Sequence, residues 1–176
     1  MLNVESWMLS VERCVFFFML DLPSHHLSLA LLQPQIAPNT GNIGRLCVAT
    51  GTDLHLVRPL GFVLSDRQLR RSAMDYWPRL KLTVHDSSEA FFDAMRDRRL
   101  WFFENTGTRS LWDPIFQDGD VLVFGSETRG IDPAILGEWP ERTIRLPQVT
   151  GERCLNLSTA AGIAVYEAIR QVFASG

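Results

Sequence analysis

Four polar, glycine-containing stretches carry the residues of this chain that could do chemistry. The first, Pro34-Gln-Ile-Ala-Pro-Asn-Thr-Gly-Asn-Ile-Gly-Arg45, turns into a helix. It offers Asn39, Thr40, Asn42, Arg45 and backbone amides to an anion. Its spacing is neither GxGxxG nor a P-loop, which leaves a dinucleotide or ATP site of those kinds unsupported. A capped helix with a surface arginine fits the same residues. The second stretch is Gly125-Ser-Glu-Thr-Arg-Gly-Ile131. Gly125 and Gly130 let a ligand come close to the backbone. Ser126 is no nucleophile elbow, because Phe124 and Thr128 stand where G-x-S-x-G requires glycine. Glu127 and Arg129 can pair with each other or lie in solvent. The third, Glu104-Asn-Thr-Gly107, reads equally as a turn or a site. The fourth runs from Leu146 to Ser158 and holds Cys154 and Asn156. Cys154 has no legible partner base, since His55 and His85 fall on predicted strands, so a small buried thiol is expected there. Asn156 and Ser158 read as helix caps. No His, Cys, Asp or Glu cluster has metal-ligand spacing, and no metal is expected.

The elements that must position these loops alternate between short apolar runs and helical periodicities. Strands are predicted at Leu27–Leu32, Leu54–Val57, Leu82–His85, Leu100–Phe103, Val121–Phe124 and Thr143–Leu146. The continuous apolar runs are of the kind buried on both faces of a parallel sheet. Pro38–Gly41 reads as a turn, followed by a helix with Ile43, Leu46, Cys47 and Thr50 on one face and Gly51 as its C-cap. Ser65 and Asp66 can cap an arginine-rich helix to Met74. Ser87 opens a helix with Phe91, Phe92 and Met95 on one side. The longest helix is predicted from Asn156 to Phe173, with a surface of small residues at Ala160, Ala161, Ala164 and Ala168. The fold class is α/β, a mostly parallel sheet with helices on both faces. Ligands in such sheets sit beyond the carboxyl ends of the strands, where all four stretches fall.

The chain has 176 residues, 46% of them hydrophobic and 21% charged, which fits one globular domain and excludes wholesale disorder. Three cysteines with no CxxC spacing argue against a disulfide scaffold and fit a reducing cytoplasm. The formal net charge of -3 excludes a uniformly basic nucleic-acid coat. Arg67, Arg70, Arg71, Arg79 and Lys81 nonetheless cluster, while Trp112–Glu141 holds seven acids and only one arginine. The apolar run Cys14–Leu20 is too short for a membrane span. Glu5 and Glu12 before it argue against a secretory signal. Residues 1–25 are expected to be an extension, and 26–176 a single domain with no membrane anchor.

Three motifs in order resemble those of the SpoU-type 2'-O-ribose methyltransferases of the knotted SPOUT superfamily. They are Pro38–Arg45, Phe124–Ile131, and Arg153–Ser158 with Val165–Ala168. Leu56–Phe62, Leu69–Ser72 and Asp75-Tyr76 look like the small tRNA (cytidine/uridine-34) 2'-O-methyltransferase group, the TrmL (YibK) group. The resemblance implies a C-terminal trefoil knot, which general rules of chain topology would reject. It implies S-adenosylmethionine as methyl donor, walled by Phe103, Gly125, Leu146, Cys154 and Leu155. Arg45 would be the catalytic arginine, with Asn156 holding Arg45 or the ribose and Glu127 buttressing the knot loop. The anticodon stem-loop of tRNA, leucine isoacceptors expected, would be gripped by Arg67, Arg70, Arg71 and Arg153. A homodimer would form on the last helix, with Tyr166 and the alanine surface at its interface. Where the family often has serine this chain has Cys154, and Gly44 replaces a bulkier residue of some relatives. The alternatives are a 2'-O-methyltransferase for another RNA position and a non-catalytic knotted RNA-binding dimer.

Overall fold

The computed structural model describes residues 22, 24–64 and 76–174. The extension to residue 21 and the arginine-rich stretch with Arg67, Arg70 and Arg71 lie outside the described residues. The strands are β1 (Ser28–Leu32), β2 (Asp53–Val57), β3 (Leu82–His85), β4 (Leu100–Phe103), β5 (Arg109–Ser110), β6 (Val121–Phe124) and β7 (Thr143–Arg145). They form one sheet in the order β3-β2-β1-β6-β4-β7-β5, and every pairing is parallel. The helices are α1 (Ala37–Thr50), α2 (Ser88–Ala94), α3 (Pro133–Glu138) and α4 (Leu157–Ala174).

Alternation along each strand divides the core in two. Leu29, Leu31, Leu54, Leu56, Leu122 and Phe124 point to the face covered by α1 and α4. Ala30, Leu32, Val57, Phe102, Val121 and Val123 point to the face covered by α2 and α3. Both faces are dry, which is why the strands read as unbroken apolar runs.

Local chemistry sets the helix ends. Ser87 Oγ accepts from the Ala90 amide at 3.2 Å to start α2. Gly51 ends α1 at φ 75°. Asn156 Oδ1 accepts from the Ser158 amide at 2.9 Å to start α4. Two expectations change. Pro38–Gly41 is not a turn before α1 but its first turn, because a proline there loses no hydrogen bond and has a helical φ. The alanine surface of α4 is not an interface: Ala160, Ala161, Ala164 and Ala168 are at most 8% exposed and pack inside the subunit. Small side chains let α4 lie close on the sheet and α1. β5 and α3 escaped the sequence reading because two and six residues are too short to show a period.

Candidate active site

The carboxyl ends of β4, β6 and β7 open into a cavity of about 490 Å³. Its floor is the pair Phe103 and Phe124, adjacent in register, with rings stacked 4.7 Å apart at 9°. Leu146, just after β7, and Leu157 and Ala160 of α4 add apolar wall. Glu104, Asn105, Glu127, Arg129, Gln148 and Asn156 put polar groups around that floor. An apolar floor of aromatic edges and a polar rim suit a ligand with an apolar-faced base and several hydrogen-bonding groups.

The loop between β6 and α3 closes on itself. Ser126 and Gly130 exchange backbone hydrogen bonds of 3.2 and 2.9 Å. Gly125 is required by this closure: a Cβ there would stand 2.1 Å from the Gly130 carbonyl carbon. Any side chain at 125 would break the loop before it met a ligand, a reason for glycine different from an adenine slot.

Glu127, on the same loop, makes no pair with Arg129. Its carboxylate accepts from the amides of Gln35 at 2.7 Å and Ile36 at 3.2 Å, and from Asn39 Nδ2 at 3.0 Å. Helix α1 has Ile36 at its N-cap position with no side-chain cap, and Glu127, from another element, instead fixes the entry to the helix by holding the Gln35 and Ile36 amides. Asn39 Oδ1 in turn accepts from Asn156 Nδ2 at 3.0 Å. The loop, α1 and α4 are thus joined through Glu127, Asn39 and Asn156. Asn156 reaches Asn39 here rather than Arg45.

Phe103, Gly125, Leu146, Cys154, Leu155 and Asn156 all line the cavity. Cys154 is exposed rather than buried, because it sits on the irregular run between β7 and α4, with its sulfur against Asn105 Nδ2. Arg45 does not line the cavity. It lies six residues beyond Asn39 on α1, about 9 Å along the axis, exposed, with its guanidinium carbon 5.4 Å over the Tyr76 ring. Arg153 is exposed near the cavity mouth and Tyr166 is 54% exposed on α4. Sequence reasoning missed Glu104, whose carboxylate accepts from the Ile131 amide at 2.9 Å and fastens the far end of the loop. A polar turn after β4 was the sole signal. Among the described residues no group of His, Cys, Asp or Glu could hold a metal, and no helix is long and apolar enough to cross a membrane.

Residues 26–166 match the SpoU rRNA methylase family. The chain belongs to that family. It is 47% identical over 144 residues to a tRNA (cytidine(34)-2'-O)-methyltransferase of Methylovorus glucosotrophus, covering 81% of this chain and 94% of that one. It is 44% identical over 147 residues to the enzyme of the same name from Escherichia coli K12, covering 83% and 94%. A solved structure described as giving insights into the 2-OH methylation of C/U34 on tRNA superposes with a TM-score of 0.80 at 45% identity, over 84% of this chain and 96% of that one. The SpoU methyltransferase AviRb from Streptomyces viridochromogenes, solved with AdoMet, shares the fold at a TM-score of 0.77 and 23% identity.

Proposed function

We propose that this SpoU-family protein is a tRNA 2'-O-methyltransferase that modifies the ribose of the wobble nucleotide, cytidine or uridine 34, with S-adenosylmethionine as methyl donor. The observation that carries this reading is the cavity over Phe103 and Phe124, joined through Glu127, Asn39 and Asn156 to the helix that holds Arg45. The stacked rings and Leu146 suit an adenine, and the open polar rim suits a ribose and an amino acid. When bound, S-adenosylmethionine would supply a methyl that passes from its sulfonium sulfur to the ribose 2'-oxygen, as the S–C bond breaks, the O–C bond forms and the hydroxyl proton passes to solvent water.

A ribose hydroxyl is a very weak acid, so the protein must orient it and stabilise charge growing on its oxygen. Arg45 meets the second need. Guanidinium is never neutral in proteins, so Arg45 acts by its charge and its five N–H donors, on the oxyanion and on a neighbouring phosphate, rather than as a base. Its exposure, outside the cavity wall, suits a group that meets RNA rather than cofactor. The relatives' names and lengths support the wobble position over other RNA sites. Leucine isoacceptors are the substrates expected in the tRNA pool, in the cytoplasm.

The reading includes a trefoil knot in the chain path through the cavity loops, and a homodimer. The alanine stripe of α4 being internal, the dimer would use the opposite face of that helix, where Ile163 and Tyr166 are 41% and 54% exposed. The test of function is methyl transfer to an anticodon stem-loop, with and without a 2'-deoxy nucleotide at position 34. Transfer to the ribose stem-loop alone is expected. Equal transfer to both would place the methyl elsewhere.

A further inference from the structure

We propose that Tyr76 is a positioning residue that holds the Arg45 guanidinium ready for RNA, an inference that rests on the role given to Arg45 above. Among the described residues, the Arg45 side chain makes no hydrogen bond and no ion pair. What faces it is the Tyr76 ring, 5.4 Å from the guanidinium carbon, within the range of a cation–π contact. The ring is itself fixed. Tyr76 is 3% exposed, and its hydroxyl donates to the carbonyl of Gly41 at 2.5 Å, one turn before Arg45 on α1.

The sequence of α1 makes room for this contact. A Cβ at Gly44 would stand 3.3 Å from Leu80, 3.4 Å from Trp77 and 3.5 Å from the Tyr76 ring. Gly44 therefore lets the turn at 76–80 seat against the helix beside Arg45.

The choice of partner matters chemically. A carboxylate would hold Arg45 as firmly, but it would cancel the charge and occupy the donors that an RNA phosphate and an oxyanion need. An aromatic face restricts the side chain while leaving the charge and all five N–H groups available. The contact would strengthen once RNA displaces water from it, because cation–π attraction grows on desolvation.

The experiment is a double-mutant cycle on kcat with an anticodon stem-loop. Tyr76→Leu is expected to lower kcat about 2- to 30-fold, the range for an exposed to a desolvated contact. S-adenosylmethionine affinity should not change, and Tyr76→Phe, which keeps the ring, should recover most of the rate. In the Arg45→Ala background Tyr76→Leu should cost nothing further. The same loss in both backgrounds, or no loss in either, overturns the proposal. An Arg45→Ala protein with the parent rate overturns instead the role of Arg45, so the two failures are distinguishable. Should Tyr76→Leu not fold, pentafluorophenylalanine at position 76 against Tyr76→Phe makes the comparison with the ring shape kept and its negative face removed. A lower kcat for the fluorinated protein at equal melting temperature is expected, and equal kcat overturns the inference.

Discussion

Arg45 concentrates the proposed chemistry in one side chain that the cavity does not contain. Arg45→Ala should therefore leave S-adenosylmethionine affinity intact while turnover falls by roughly 10²–10³, the loss typical of one oxyanion-stabilising group. Arg45→Lys should recover little, because a point charge does not reproduce the guanidinium fork. Calorimetry beside single-turnover rates separates the two effects, and a parallel loss of affinity would contradict the assignment. The thiols make a second contrast. Burial pushes the Cys47 thiol up to about 12, so it stays protonated and inert, whereas Cys154 is exposed on the cavity wall. A small alkylating reagent should label Cys154 in the folded protein and spare Cys47, and S-adenosylmethionine should slow the labelling. Peptide mapping reads both outcomes. The four polar stretches were legible as glycine-containing loops between apolar runs, and their order as three motifs, rather than any one of them, separated a site from plain turns and caps. Exposure of Cys154 was not, because the burial tendency of cysteine says nothing of which loop faces a cavity. Tyr76 entered the sequence reading only through the resemblance carried by Asp75-Tyr76, and only the fold places its ring against Arg45.

The elements are held in register by contacts far apart in sequence, which no local pattern announces. Glu127 fixes the entry to a helix 90 residues before it. Glu127→Ala would leave the Gln35 and Ile36 amides and Asn39 Nδ2 without their acceptor. Stability should fall by about 1–3 kcal/mol, with Glu127→Gln restoring part of it. Urea unfolding midpoints measure this, and an unchanged midpoint would mean that water serves the helix end equally well. Strands β2 and β3 carry a pH dependence of their own. His55 and His85 lie 3.0 Å apart across them, both packed against Phe91. Burial, then the neighbouring His85, pushes His55 down to about 4, and burial lowers His85 as well. An imidazole titrating lower in the folded than in the unfolded chain binds fewer protons when folded. Its stability is present above the ordinary histidine value near 6.5 and is lost as pH falls from there towards 4. The thermal midpoint should drop between pH 7 and pH 5, with a shallower drop in His55→Gln. Both histidines were legible as strand residues, yet their pairing depends on the parallel register of β2 and β3, which periodicity does not encode.

For the whole molecule, the sheet and its two helical faces follow from unbroken apolar runs alternating with helical periodicities, while strand order and the closing of the loops on one another do not. The charge of -3 requires that RNA affinity come from a local basic face. Arg45, Arg79 and Arg153 are exposed, and Arg67, Arg70 and Arg71 belong to the stretch outside the described residues. Substituting both Arg70 and Arg71 with alanine should weaken stem-loop binding and flatten its dependence on salt, each phosphate contact adding to that slope. An unchanged slope would leave Arg45 and Arg153 as the remaining contacts. The central claim concerns where the methyl goes. Total tRNA lacking 2'-O-methylation at the wobble position, incubated with the purified protein and S-adenosylmethionine, should be mapped for 2'-O-methyl marks nucleotide by nucleotide. The account predicts a new mark at cytidine or uridine 34 that vanishes with Arg45→Ala. A mark at another position, or one at 34 that persists in that variant, would contradict it.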